Sequence, residues 1–439
     1  MNQQPKAFIR GIGAAIPGIG DERLKNGKAG TLLHASDICG LLEKYYKIHN
    51  PKTGKSMDRD WARRNLGVET LSVGNLDGLR KVNGVGVETL LSDDLQSITE
   101  NEMAFVAFEE ALERAKLSPK DIDVILRVSP TLSHVYFWAG LCEWKTRFSD
   151  LRDDILMQHH PLGCPAFMVE LKLARTLLNA PHIRNVAIVI SCSGSAKCDP
   201  QFVDLHARDN DITKWTNLCL FGDGASACIV STSEINMPDM VFDLVDVEHR
   251  TDYSTWVSRR YDGACSLDVE KENKNSNSSA IEDTTRPVYL LNIDGPKHMK
   301  GALDHWMKYL KQNHSLSVGK ADHVALHSPN PKVLKMIAKY FGILDKISLL
   351  PEKIGNLGPA SCITNLHERL YGADRLANNA SDGDLILGFA LGDSIGLTDG
   401  IFLLKARAVA QEPVEQPFSL ELAKKPSSKK FRNRIFNLF

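Results

Sequence analysis

Short β-branched runs bounded by turn residues recur along the chain, at Asp123–Val128, Asn185–Cys192, Ala225–Ser231, Tyr289–Asp294, His323–His327 and Asp384–Phe389, and each reads as a buried strand. Between them the apolar positions switch to helical spacing. Asn101–Leu117 places Met103, Val106, Phe108, Ala111, Leu112 and Ala115 near one face, and Cys164–Leu178 does the same with Phe167, Leu171, Ala174 and Leu178. Strands alternating with helices predict an α/β architecture. The two halves look alike in outline, each with a long helix, a buried strand and a chemically interesting turn, but share no residue-level repeat, so a pseudo-duplicated α/β protein is expected. The span 268–287 contains LysGluAsnLysAsnSerAsnSerSer and little apolar matter, which predicts an exposed excursion outside the core.

Composition sharpens this outline. A chain of 439 residues is too long for one small module, and 43% hydrophobic with 24% charged residues predicts a packed soluble core. Its 53 basic and 54 acidic side chains leave a net charge of −1, so no global field draws it to nucleic acid or an anionic membrane. Any anionic ligand must be held by a local patch. The N-terminus lacks the basic start and apolar stretch of a signal peptide, and no later run reaches the roughly 18 apolar residues of a span, so no integral membrane segment and a cytoplasmic location are expected.

Nine cysteines, at 39, 142, 164, 192, 198, 219, 228, 265 and 362, are scattered and odd in number, unlike a disulfide framework. Cys192 and Cys198 have no second pair or nearby histidine at zinc spacing, so no metal site is expected. After Lys405 the periodicity fades, and from Leu422 the tail carries Lys424, Lys425, Lys429, Lys430, Arg432 and Arg434 with no acid. It reads either as a solvated tail or as a docking peptide for an acidic partner or membrane surface.

Four segments carry candidate chemistry. ProLeuGlyCysProAlaPheMetValGluLeu, 161 to 171, puts Cys164 just before a proline and an amphipathic run. Proline favours the first helical position, which places the cysteine at a helix N-terminus, where free N–H groups and the dipole favour thiolate. HisValAlaLeuHisSerProAsnProLysValLeu, 323 to 334, reads as a short strand ending at His327, then Asn330 as N-cap and Pro331 in the first turn. LysIleGlyAsnLeuGlyProAlaSerCys, 353 to 362, is a glycine-rich loop around Asn356 running into a helix, and PheGlyAspGlyAlaSerAlaCysIleVal, 221 to 230, is a turn feeding a strand. Taken singly, each has a bland alternative: a buried cysteine, a hydrogen-bonding histidine, a turn asparagine, and glycines for close packing.

Together and in this order they resemble the ketoacyl synthase III branch of the thiolase superfamily, which includes the chalcone synthases. The resemblance runs from about Phe8 to Lys405. The opening IleArgGlyIleGlyAlaAlaIlePro resembles the family's first strand, and AspTrpAlaArgArgAsnLeuGlyVal, 60 to 68, its early tryptophan-containing helix and turn. His327-Ser-Pro-Asn330 matches the HxxN segment, Gly355-Asn356 the GN loop, and PheGlyAspGlyAlaSerAla the GDGA turn. The resemblance implies a five-layer αβαβα thiolase fold, with one half over 1–232, a second over 233–407 and a basic tail over 408–439.

It also implies that Cys164 takes up an acyl group as a thioester, while His327 and Asn356 bind the thioester carbonyl of a malonyl- or β-ketoacyl-type extender for Claisen condensation. Backbone amides of Cys164 and Leu391, the latter in the late glycine-rich turn 387–393, would form the oxyanion hole. Trp61, Arg64 and Asn330 would bind substrate. Acyl-CoA or acyl carrier protein thioesters would be the substrates and partners, with no cofactor, and the protein would be a homodimer. The sequence departs from the family in GlyCysPro at the nucleophile, in His159 and His160 upstream, in Leu357-Gly358-Pro359 after Asn356, in Ala390, Leu391 and Ile395 in the late turn, and in Asn65 where an arginine is usual. Those departures suggest specialised metabolism, with a carrier-protein thioester favoured over coenzyme A. Two alternatives stay open: acyl transfer from the cysteine to a nitrogen or oxygen nucleophile without decarboxylation, and a catalytically silent partner subunit.

Overall fold

A computed structural model describes residues 6–19, 21–46, 54, 58–74, 76, 94–130, 137–194, 219–252, 259–260, 288–289, 295–327, 330–372, 379–393 and 397–409. Its strands are β1 (Phe8–Ala15), β2 (Thr31–His34), β3 (Thr70–Val73), β4 (Val124–Val128), β5 (Leu156–His160), β6 (Asn185–Ser193), β7 (Asp223–Ser231), β8 (Met240–Asp252), β9 (Arg259–Arg260), β10 (Val288–Tyr289), β11 (His323–Leu326), β12 (Leu385–Asp393) and β13 (Leu397–Ala408). The α-helices are α1 (Ala35–Tyr46), α2 (Trp61–Asn65), α3 (Glu100–Ala115), α4 (Phe137–Arg147), α5 (Ala166–Leu177), α6 (Gly295–Tyr309), α7 (Pro331–Phe341), α8 (Pro351–Ile354) and α9 (Ser361–Tyr371).

The strands predicted from the pattern correspond to β4, β6, β7, β11 and β12, and the two predicted helices to α3 and α5. Of the run Tyr289–Asp294 only Tyr289 is described, within β10; residues 290–294, the excursion 268–287 and the tail beyond 409 lie outside the described residues.

One hydrogen-bonded sheet runs in the order β11-β12-β13-β8-β1-β7-β6-β4-β5. Its middle is a narrow junction, because β1 pairs with β7 along its length but with β8 only at Phe8 and Ile9. Strands from before residue 232 lie on one side of that junction and later ones on the other. Apolar side chains then sort into layers. α3 covers the β1-β7-β6 face with Phe105, Phe108 and Ala111 against Ala187, Val189 and Ala227. α5 and α9 share a core with strands of both sides, Phe167 and Leu171 meeting Ile188 as well as Phe402, and Ile363 and Leu366 joining them. The far face of β11-β12-β13 is closed by Trp306 of α6 and Ile337 of α7. Helix, sheet, helix pair, sheet and helix give the five layers.

Small residues set two of these contacts. A Cβ at Gly13 of β1 would stand 2.0 Å from the Ala107 carbonyl oxygen, and one at Gly11 2.2 Å from that of Ala111, so α3 lies directly on the strand backbone. The stretch Leu387–Asp393, expected as a turn, is strand: it is in register with β13 from Leu387↔Leu403 to Asp393↔Leu397. Its glycines serve close approach rather than chain reversal, since a Cβ at Gly388 would overlap the Phe402 ring at 1.9 Å.

A buried carboxylate latches the outer layer to the middle one. Glu110 of α3 accepts from the Ala14 amide at 2.8 Å, from His367 of α9 at 2.9 Å and from Arg114 at 2.9 Å, and pairs with Arg23 at 2.8 Å. Burial works against its charge, but the His367 and Arg23 contacts prevail and bring its pKa down to about 2. With the folded pKa below the unfolded one, the stabilisation is complete above about pH 4.5 and fades as pH falls toward 2, amounting to about 3 kcal/mol. Urea unfolding of Glu110→Gln should therefore show a loss of stability at pH 7 that narrows by pH 3. A difference independent of pH would mean that the latch acts by packing alone.

Candidate active site

The segment between β5 and α5 forms a tight elbow. The Leu162 amide donates to the His160 carbonyl at 2.9 Å and the Ala166 amide to that of Gly163 at 2.9 Å. Pro165 is the N-cap, with φ −85° and ψ 13°, and the helix begins at Ala166. Cys164 thus stands one residue further from the helix than a proline in the first turn would put it. It is half-buried and close to β12: a Cβ at Gly392 would lie 2.6 Å from Cys164 Cβ and 3.2 Å from its Sγ.

His327 follows the last residue of β11, and its amide donates to the Phe389 carbonyl on β12 at 2.8 Å. Its side chain is fully buried, and burial alone pulls its pKa down to about 4, so the ring is neutral at ordinary pH. Both ring nitrogens are buried without a hydrogen-bond partner among the described residues. Asn356 is held at the opposite wall by its backbone, donating to the Leu220 carbonyl at 2.8 Å and accepting from the Gly222 amide at 3.1 Å. This is what the glycines flanking Asp223 serve: a Cβ at Gly222 would stand 2.1 Å from the Ile354 oxygen. Asp223, fully buried, accepts from the Gly74 amide at 2.7 Å and fastens the same segment. The Asn356 side-chain oxygen accepts from the Gly358 amide at 2.8 Å and Ser361 Oγ at 3.0 Å, which turns the amide nitrogen away from both donors.

His327, Asn330 and Asn356 line one small cavity with Leu334, Ser361 and Asn365. Asn330 caps α7 as the sequence predicted, its side-chain oxygen accepting from the Val333 amide at 3.0 Å. Cys164 is not among the lining residues; it meets β12 at Gly392, about 10 Å along the strand from the Phe389 carbonyl that fixes His327. Leu391 is buried in β12 opposite Asp399, and the residue against the cysteine is its neighbour Gly392.

Trp61 opens α2, half-buried against the small cluster of Leu33, Leu66 and Leu71. Arg64 is exposed and pairs with Asp58, which raises its pKa further, while its carbonyl accepts from Lys332 at the start of α7. α2 therefore packs beside the helix whose first turn lines the cavity. His159 and His160 are both partly buried. Burial, and then the Arg127 charge, bring His159 down to about 4, whereas a hydrogen bond to Glu170 raises His160.

The chain is similar to several known proteins. Residues 161–252 match the family model of 3-oxoacyl-[acyl-carrier-protein (ACP)] synthase III. A beta-ketoacyl-[acyl-carrier-protein] synthase III of Haemophilus influenzae is 29% identical over 132 residues, 30% of this chain and 37% of that relative. One from Helicobacter pylori is 22% identical over 327 residues, 71% of this chain and 88% of its own. The crystal structure of 3-oxoacyl-[acyl-carrier-protein] synthase III from Aquifex aeolicus superposes with a TM-score of 0.59 at 19% identity, covering 91% of this chain and 99% of that one. Over residues 161–252 in sequence, and across its fold, the chain is similar to the ketoacyl synthase III proteins. The match to the Haemophilus protein spans little more than a third of that relative's length. The chain has the thiolase fold expected from its motifs. Reading the motifs missed Gly392, Ser361 and Asn365. Gly392 was within reach, since a glycine inside a strand marks close approach, but its partner in space is 228 positions away in sequence.

Proposed function

We propose that this protein is an acyltransferase that loads an acyl group on Cys164 and joins it to a malonyl- or β-ketoacyl-type thioester by Claisen condensation. The observation that carries this reading is His327: a neutral, fully buried imidazole whose nitrogens have no partner among the described residues, in the same cavity as an asparagine held by its oxygen. A buried polar group without a partner is costly unless a ligand meets it. A thioester carbonyl is such a ligand: hydrogen bonds from the imidazole and the Asn356 amide stabilise its oxygen as the malonyl carboxylate leaves as carbon dioxide. The resulting carbanion attacks the acyl carbonyl on Cys164, the elbow amide of Cys164 with one from the Leu391–Gly392 segment receives the second oxyanion, and its collapse breaks the C–S bond and frees the Cys164 thiolate.

The acyl donor would be a phosphopantetheine thioester on coenzyme A or on a carrier protein; on the neighbouring helices α2 and α7, Arg63, Arg64 and Lys335 are held by Asp60, Asp58 and Glu352. Strand β5 is an edge of the sheet, which favours a homodimer formed by pairing two such edges; a monomer in sedimentation at micromolar concentration would argue against it. Among the described residues no helix is long and apolar enough to cross a membrane.

Intact mass spectrometry after incubation with a panel of acyl-CoA and acyl carrier protein thioesters tests the reading. The wild type should gain one acyl mass that Cys164→Ala does not gain, and the acyl-enzyme should release carbon dioxide from a malonyl thioester. Loading without carbon dioxide release would favour transfer to a nitrogen or oxygen nucleophile, and no loading from any donor a silent subunit.

A further inference from the structure

The last residue of β5 and the second turn of α5 are tied by a bridge that the condensation chemistry does not use. His160 Nδ1 lies 2.7 Å from Glu170 Oε1. The carboxylate is 1% exposed and the imidazole 28%, and Glu170 Oε2 is buried without a hydrogen-bond partner among the described residues. Between His160 and Glu170 runs the whole elbow, so the bridge ties together the two ends of the segment that carries Cys164. Arg127 of β4, opposite His159 in register, is buried and donates to the Val128 carbonyl at 2.6 Å and to Ser191 Oγ at 2.5 Å, beside Glu100 of α3.

Stability alone does not call for a carboxylate at 170. The other inward residues of α5, Phe167, Met168, Leu171 and Ala174, are apolar, and apolar side chains of similar volume commonly replace a buried ion pair at no cost. What a charge-assisted hydrogen bond adds is direction: it fixes the distance between the strand end and the helix that flank the nucleophile. Cys164 has little room for error, because the contact with Gly392 leaves no space for even one methyl group.

We propose that His160 and Glu170 are positioning residues for the nucleophile, their bridge holding the turn 161–165 so that Cys164 stays at the start of α5 and against Gly392. This rests on the reading of Cys164 as the acyl-accepting group. Peptide-resolved alkylation of the full-length chain by iodoacetamide tests it, with the exposed Cys142 as internal reference. Glu170→Leu should slow alkylation of Cys164 about tenfold relative to Cys142, measured well below the variant's own melting temperature. Glu170→Gln, whose side-chain oxygen still accepts from His160 Nδ1–H, should recover most of the wild-type rate. His160→Leu removes the bridge from its half-exposed end and should match Glu170→Leu, which keeps the test decisive if the buried substitution impairs folding. A wild-type or faster Cys164 rate in both leucine variants, or a Glu170→Gln as slow as Glu170→Leu, overturns the proposal. Alkylation needs no acyl donor, so a wild type that accepts no acyl group yet shows this contrast would defeat the proposed function and leave the positioning role standing.

Discussion

His327→Ala should leave Cys164 able to take up an acyl group while slowing the decarboxylation of a malonyl thioester by about 10²–10³-fold, the usual loss for one oxyanion donor. The separation of the two steps follows from where the residues sit. Cys164 is carried by the elbow before α5 and rests on Gly392, whereas His327 projects from the end of β11 into the cavity it shares with Asn356. Burial holds the ring neutral, with a pKa of about 4, so it acts as a hydrogen-bond donor and not as a fixed positive charge. Asn356→Asp should fail at the same step and at least as severely. The bonds from Gly358 and Ser361 hold one side-chain oxygen, and the substitution would place a second oxygen where the amide donor stood. Quantifying acyl-enzyme by mass and carbon dioxide release with labelled malonyl thioester, on the same samples, resolves the steps. Loss of loading in His327→Ala would assign the imidazole to activation of the cysteine instead.

The fold was legible from the sequence because strands such as β4, β7 and β11 are fully buried and its long helices one-sided. All nine residues of β7 are buried, as are all five of β4, and such runs leave no competing reading. The two cavity residues were legible for a different reason: each sits beside residues with strong local conformational demands. Asn330 and Pro331 set the start of α7 three residues after His327, and Gly355, at φ 76°, turns the chain immediately before Asn356. What the sequence hid was pairing across distance. Leu387–Asp393 looked like a turn because glycine is the commonest turn residue, yet Gly388 and Gly392 are glycines because Phe402 and Cys164 occupy the space a side chain would fill. Likewise the paired histidines 159 and 160 could not be assigned to faces until the buried Arg127 and Glu170 stood on opposite sides of the strand.

Gly392 is accordingly the position where the smallest change should have the largest effect on Cys164. In Gly392→Ala the new methyl group would meet Cys164 Cβ at 2.6 Å, its Sγ at 3.2 Å and Pro165 Cδ at 3.7 Å. None of these is the free end of a long side chain. Cys164 and Pro165 belong to the elbow, which is fixed by the bonds into His160 and Gly163, and Gly392 is fixed by its pairing with Thr398. The strain must therefore be relieved by moving the elbow off the strand. Overpacking of this kind costs about 1–3 kcal/mol of stability. Misplacing a reacting atom by about 1 Å costs on the order of 10²-fold in rate, so acyl loading should fall by at least that much while most of the protein remains folded. Gly301→Ala is the matched control. It lies inside α6 with only an Arg250 nitrogen at 3.7 Å, and alanine there should leave loading unchanged and add about 0.5–1 kcal/mol of stability. Loading by Gly392→Ala at the wild-type rate would show that the contact with β12 does not hold Cys164 in its reactive position, and would detach the late strand from the proposed oxyanion hole.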